Sequence, residues 1–238
     1  MNYFSNFNTI PYDINGDGIF DNVVNLTNIV KITDKLSDDI SLYNLVTINS
    51  GERPDQLSYR LYGSTKYYWT FLLTNPNIKN FWNDWPKTDT QLIEYVVTKH
   101  KGLAATTDMS LTNKFKIGEQ VQGVISGAIG TVYEIHNNLG YVHILPVSGD
   151  FKEDGEDIYG LDSQDVVTAE FIKNIGYAPK YHIDNATGEM TTKRLAGTSP
   201  VSILDYERNH NNRNIHLKVI KPEHIQNIFE EFTIEISK

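Results

Sequence analysis

The sequence predicts an α+β fold in which helix-bearing segments flank a small β-unit, and three observations carry that prediction. A strand, a polar turn and two short helices follow one another between Leu45 and Leu73. Glycine and asparagine then punctuate short apolar runs from Phe115 to Val167. Near the end, the alternating run 214–220 leads into an amphipathic segment behind Pro222.

Residues 1–40 read as an N-terminal arm. Tyr3, Phe4 and Phe7 open it and a glycine-bearing polar stretch follows. Val23, Val24, Leu26, Ile29, Val30 and Ile32 lack a clear alternation, so one extended or helical piece is expected in an otherwise irregular arm. Such an arm orders against a neighbouring surface. Residues 41–100 form a module with a tail helix. Leu45 to Ile48 reads as strand and Ser50-Gly51 as turn. A helix capped near Asp55 then places Leu57, Leu61 and Tyr62 at helical spacing until Gly63 stops it. A second helix runs from about Lys66 to Leu73, closed by Asn75-Pro76. A third starts at Thr88 or Asp89 and carries Leu92, Ile93 and Val96.

Residues 101–113, with Gly102, Ala104-Ala105 and a Thr-rich run, read as a linker. From 114 to 170 short strands alternate with turns at Gly118, Ser126-Gly127, Gly130 and Asn137-Asn138, the pattern of an inserted small antiparallel β-barrel. Thr131–Ile135 and Tyr141–Leu145 form a hairpin around Asn138. No internal repeat is evident. Residues 171–238 form the last segment. It opens with extended polar sequence, turns at Asn185–Gly188, and ends in a strand and a helix whose buried stripe is Ile225, Ile228, Phe229 and Phe232.

A length of 238 residues admits one large domain or two small ones. The formal charge of −9, with Lys and Arg scattered, argues against nucleic acid and against an anionic membrane as partner. The absence of cysteine excludes disulfides, thiolate catalysis and cysteine-based zinc sites. No run approaches the roughly 18–20 apolar residues of a membrane span. Met1 to Phe7 has neither the positive start nor the apolar core of a signal peptide. The protein is therefore expected to stay in the cell that makes it unless an assembly carries it out.

The strand–turn–helix–helix stretch, with Gly51-Glu52 in its turn and Asn75 ahead of a returning strand, resembles a LysM module. More narrowly, the run from Gly51-Glu52-Arg53-Pro54 through Tyr67-Tyr68-Trp69 to Asn75-Pro76 resembles the baseplate wedge protein of T4-like contractile-tailed phages. The aromatic start at Tyr3 to Phe7 extends that resemblance, as does the C-terminal series Asp205-Tyr206-Glu207, Arg213, strand, Pro222 and helix. The stretch Phe115 to Ser163 departs from the shorter relatives and resembles small modules in tail and baseplate proteins of large phages, so it reads as an insertion.

The resemblance implies a structural, non-enzymatic subunit of the virion, assembled in the host cytoplasm. It would join wedge subunits around the hub of a sixfold baseplate during tail assembly and hold the plate before contraction. Its implied partners are other wedge subunits and neighbouring wedges. The LysM likeness implies an alternative, binding of peptidoglycan or N-acetylglucosamine polymers between the Ser50–Glu52 turn and Tyr67-Tyr68-Trp69. A single copy with no attached hydrolase weighs against glycan binding.

The candidate partner-binding residues are Tyr67, Tyr68, Trp69, Phe81, Trp82, Trp85 and Arg213, because aromatic and arginine side chains dominate interface hot spots. Asp13-Ile14-Asn15-Gly16-Asp17-Gly18-Ile19-Phe20-Asp21 matches the front of a calcium loop, but Val24 stands where the bidentate acid belongs. A plain Asx/Gly turn is expected there, with no metal or other cofactor. The histidines form no HExxH, and nucleophile-elbow, P-loop and dinucleotide patterns are absent. Asp205 and Glu207 beside Arg208 and Arg213 read as a surface ion-pair network. The acidic second half of the insert suits a protein-binding or spacer role.

Overall fold

The computed structural model of the chain describes residues 7–25 and 40–236. In them the α+β character takes the form of five α-helices and four antiparallel sheets. The elements begin with β1 (Thr9–Tyr12), β2 (Asp21–Val24), β3 (Tyr43–Thr47), α1 (Pro54–Tyr62), α2 (Thr70–Thr74) and α3 (Asp89–Lys99). Then come β4 (Leu103–Thr106), β5 (Gln120–Gly123), β6 (Ile129–His136), β7 (Tyr141–Ser148), β8 (Asp157–Gly160), β9 (Val166–Thr168) and β10 (Phe171–Asn174). The chain ends with β11 (Pro179–Asp184), β12 (Met190–Thr191), β13 (Thr198–Ser202), α4 (Ile203–Arg213), β14 (His216–Ile220) and α5 (Pro222–Ile236). Two compact units result: residues 1–88 with 211–238, and residues 89–210.

In the first unit β3 pairs antiparallel with β14, Tyr43 opposite Ile220 and Thr47 opposite His216. The outer edge of β14 is closed by a side chain: Asn75 Oδ1 accepts from the Lys218 amide at 2.9 Å, and Asn75 Nδ2 donates to the Lys218 carbonyl at 2.9 Å. Asn75 thus stands in for a strand, which explains an asparagine at the end of a short helix. α1 starts two residues earlier than a cap at Asp55 would place it, with Pro54 in its first turn, Arg53 as N-cap and the Gln56 side chain accepting from the Arg53 amide. Gly63, at φ 68°, ends it. The expected second helix is split into a 3-10 turn, Thr65–Tyr67, and α2.

Ile48, Leu57, Phe71, Ile78, Trp85, Leu217 and Val219 form the main core of this unit. α5 is seated by Ile225 beside Tyr43, Tyr67 and Ile220, and by Phe232 beside Phe7 and Trp69. The extended piece expected in the arm is a hairpin, β1–β2, in which no residue from Thr9 to Val24 is buried. Leu26, Ile29, Val30 and Ile32, along with the rest of the arm at 1–6 and 26–39, lie outside the described residues.

The second unit corrects the expected barrel. Its sheet has the order β10-β4-β7-β6-β5-β8-β9, so β9 and β10 are edges and the ladder does not close. Only Ala169-Glu170 separates those two edges, and every strand lends a residue to one core, from Ala105 and Val121 to Val167 and Ile172. The sheet therefore curls around a single core without pairing its ends. It takes in Leu103–Thr106, which the sequence suggested was linker, and Phe171–Asn174. The β6–β7 hairpin forms as expected. β12, β11 and β13 make a three-stranded sheet, and Leu92 and Val96 of α3 pack with Leu204 of α4.

The same sheet contains an internal duplication that the bare sequence did not reveal. Phe115-Lys116, Gly118-Glu119, Gly123 and Ser126 recur as Phe151-Lys152, Gly155-Glu156, Gly160 and Ser163. β5 and β8, the equivalent strands, pair with each other symmetrically: Val121 opposite Gly160 and Gly123 opposite Ile158. The turns match bond for bond. Gly123 N donates to Ala128 O and Gly160 N to Asp165 O, both at 2.9 Å; Val132 N donates to Glu119 O and Ala169 N to Glu156 O. Each repeat's buried glutamate caps the other's turn. Glu156 accepts from the Ile125 and Ser126 amides at 2.9 and 2.8 Å, and Glu119 from the Ser163 amide at 3.0 Å. Gly123 and Gly160 leave room for those carboxylates: a Cβ on Gly123 would fall 2.7 Å from Glu156 Cδ, and one on Gly160 3.1 Å from Glu119 Oε1. A one-residue slip between Phe151 and Gly155, together with divergent loops, hides the repeat from inspection.

Candidate interaction surface

The Ser50–Glu52 turn is fixed from both sides. Gly51 has φ 76°, the Glu52 carboxylate accepts from the Asn49 amide at 3.0 Å, and Arg60 Nε and Nη2 donate to it at 2.7 and 2.9 Å. The hydrogen bond from Arg60 is the main reason the Glu52 carboxyl lies below its ordinary value. Arg60 also reaches the Thr47 carbonyl, so one guanidinium joins β3, the turn and α1.

Most of the predicted contact aromatics lie inward. Tyr67 and Trp69 are buried; Tyr67 donates its hydroxyl to Gln226 Oε1 at 2.7 Å, and the Trp69 ring lies 4.2 Å from that of Phe232. Neither of these two rings is exposed enough to stack on a sugar, while Tyr68, the third residue the LysM likeness points to, is half-buried. Trp85 is buried too and donates Nε1 to the Glu52 carbonyl at 2.7 Å. Phe81 and Tyr68 are half-buried, with Phe81 5.7 Å from Tyr68 and 5.4 Å from Trp85. Trp82 is the exception at 90% exposure. Its loop is held rigid from below. Asn80 Oδ1 accepts from the Trp82 and Asn83 amides, and Asp84 Oδ2 accepts from those of Lys79 and Asn80. Arg213 is exposed at the end of α4. Sequence reasoning passed over Leu45, 82% exposed on β3, and Tyr59, 63% exposed on α1. An apolar residue out of phase with the core-facing positions was the available signal.

The calcium-like loop contains the hydrogen bonds of an Asx/Gly turn. Asp13 Oδ1 accepts from the Gly16 and Asp17 amides and Oδ2 from that of Gly18. Among the described residues no group of three or more His, Asp or Glu side chains comes together as a metal-holding set.

In the second unit a cleft of about 390 Å³ is lined by Glu170, Phe171, Tyr177, His182, Arg194 and Asp205, among others. Two of its charged groups, Arg194 and Asp205, are engaged in structure. Arg194 donates to the Thr107 carbonyl at 2.8 Å and pairs with Asp108. Asp205 accepts from Ser202 Oγ and from Arg208. Burial depresses the His182 pKa, and the buried Nδ1 of its ring has no hydrogen-bond partner among the described residues. Asp205 pairs with Arg208, Asp89 lies near Arg208 and Lys99 binds Glu207, an ion-pair network in which Arg213, expected from sequence to take part, makes no ion pair among the described residues.

The first unit thus offers exposed rings on a braced scaffold, the arrangement of a protein-contact component. Residues 2–126, just over half of the chain, match the family model described as base plate wedge protein 53, and the chain belongs to that family. It is accordingly a structural protein of the phage tail baseplate, located in the virion and associated with other baseplate subunits. No curated protein matches the chain. No helix among the described residues is long and apolar enough to cross a membrane. The match covers β1 to α3 and runs on past β5; β14, the strand that completes the first unit's sheet, lies outside it.

Proposed function

We propose that the protein joins wedge subunits around the hub of a sixfold baseplate during tail assembly and helps hold the plate in its state before contraction, without catalysing a reaction. The family match over residues 2–126 carries this reading. The order β3–α1–α2–β14 supports a LysM-like module whose return strand is supplied by residues 216–220, here used as a rigid platform for protein contacts. Trp82 is the leading contact residue, a fully presented ring on a braced loop, with Arg213 and the half-buried Tyr68 and Phe81 as further contacts. Tyr67, Trp69 and Trp85 act from beneath by fixing that platform. Segment 114–170 decorates this core as a spacer or a second protein-binding element.

Sedimentation of the reconstituted wedge subunits with and without the chain tests the proposal. Closure of wedges into sixfold rings only when the chain is present is the expected result, with Trp82→Ala shifting ring formation to roughly tenfold higher concentration. Rings that form unaided, with the chain left free, would sink it.

A further inference from the structure

The N-terminal hairpin contains no buried residue from Thr9 to Val24, yet its tip is closely specified. β1 and β2 pair from Thr9 opposite Val24 to Tyr12 opposite Asp21. A two-stranded hairpin with no layer packed on it is marginal in water. Its loop is nevertheless fixed by the Asp13 side chain, which accepts from Gly16, Asp17 and Gly18 amides at 2.6, 3.1 and 2.8 Å, and by Asp17, which accepts from Ile19 at 2.9 Å. The bond from Gly18 is the largest reason the Asp13 carboxyl lies below its ordinary value, so the tip keeps its charge at neutral pH.

This fixed loop holds Tyr12, Ile14, Ile19 and Phe20 outward at 58–67% exposure. Asp13, Asp17 and Asp21 stand among them, and residues 7–25 contain no Lys, Arg or His. An apolar centre among charges is the anatomy of an interface core with its rim. Because these side-chain bonds pre-shape the loop, docking costs it less conformational entropy than ordering a free segment would. Three carboxylates that make no ion pair among the described residues select a basic rim on the other side and repel phosphate surfaces.

We propose that this hairpin is a docking finger whose tip, Ile14 to Phe20, inserts into an apolar cleft rimmed by Lys or Arg on a neighbouring baseplate subunit. The proposal rests on the assembly reading above and names the contact that reading leaves open.

The test uses the full chain with the reconstituted wedge subunits of the same phage. The Ile19→Ser/Phe20→Ser variant is expected to melt like wild type, since both side chains are exposed, and to bind wedges about tenfold or more weakly. Asp17→Asn/Asp21→Asn is expected to lose affinity less and to flatten the salt dependence of binding. A photo-crosslinking phenylalanine at position 20 should attach to one neighbouring subunit, beside Lys or Arg. Wild-type affinity in the Ser variant, or crosslinks confined to this chain or to a second copy of it, would overturn the hairpin proposal while leaving the assembly reading intact. Failure of the wild-type chain to bind wedges at all would overturn both.

Discussion

The two units bury a sheet face by opposite routes. In the first, β3 and β14 meet across the whole chain: the side chains of Thr47 and His216, 169 residues apart in sequence, lie 3.1 Å from each other. In the second, β6 and β7 form a local hairpin, and β5 and β8 are equivalent strands of adjacent repeats. Non-local pairing pays its loop-closure entropy before any contact rewards it, whereas local pairing is rewarded early. The first unit therefore depends on a few residues that join the chain's two ends, and the second spreads its closure over duplicated turns.

The largest effect is expected where the two ends meet. Leu217, 1% exposed on β14, packs in the cluster that holds Leu57, Phe71 and Trp85. Leu217→Ala should cost about 2–5 kcal/mol, the range for emptying a leucine site in a packed core. Hydrogen exchange read separately over the two units checks the contrast. Amides of β3, α1 and α5 should lose protection while those of β5 to β8 keep it. Equal loss in both would break the comparison.

How far the molecule is legible in its sequence follows the same division. Periodicity and turn residues placed the strand, the Gly63 stop, the Pro222 start and the β6–β7 hairpin, because each is decided within a few residues. The partner of β3 could not be read that way; Asn75 announced a returning strand, but nothing nearby says that residues 216–220 supply it. The barrel expectation failed for a related reason. Glycine-punctuated strands predict curl, while closure depends on whether β9 and β10 pair, and Ala169-Glu170 brings them together without a ladder. The candidate contact set was legible by residue type but not by orientation. Trp82 and Trp85 share a loop and a chemistry, yet only the fold turns one outward and gives the other the Glu52 carbonyl.

A smaller effect is expected from cutting one of the reciprocal caps. Glu156, 4% exposed, accepts from the amides of Ile125, Ser126 and Lys152. Burial pushes its carboxyl up, but those bonds outweigh burial and hold it below its ordinary 4.5. A carboxyl with a depressed folded-state pKa stabilises the fold above its unfolded value and loses that contribution as pH falls through the folded one. Glu156→Gln replaces an acceptor oxygen with a donor facing other donors, and should cost about 1.5–3 kcal/mol at neutral pH. Urea unfolding followed downward through pH 4.5 should show the wild type losing more stability than the variant. Parallel curves would remove Glu156 as the cap that locks the repeats.

The smallest effect separates the two repeats themselves. Gly127 and Gln164 occupy equivalent turn positions in the left-handed region, at φ 68° and 61°. A side chain there costs roughly 1–2 kcal/mol, against roughly 0.5–1 kcal/mol for the freedom a glycine loses on folding. Gln164 is exposed, so Gln164→Gly should stabilise by a few tenths to about 1 kcal/mol. Gly127→Ala should destabilise by a similar amount, and through conformation alone, since a Cβ there meets no atom within 4 Å. Opposite signs in the two melting temperatures would show that both turns are held to one geometry by the duplicated frame. A loss in both would mean that Gln164 contributes a contact of its own and that the second repeat has moved away from the first.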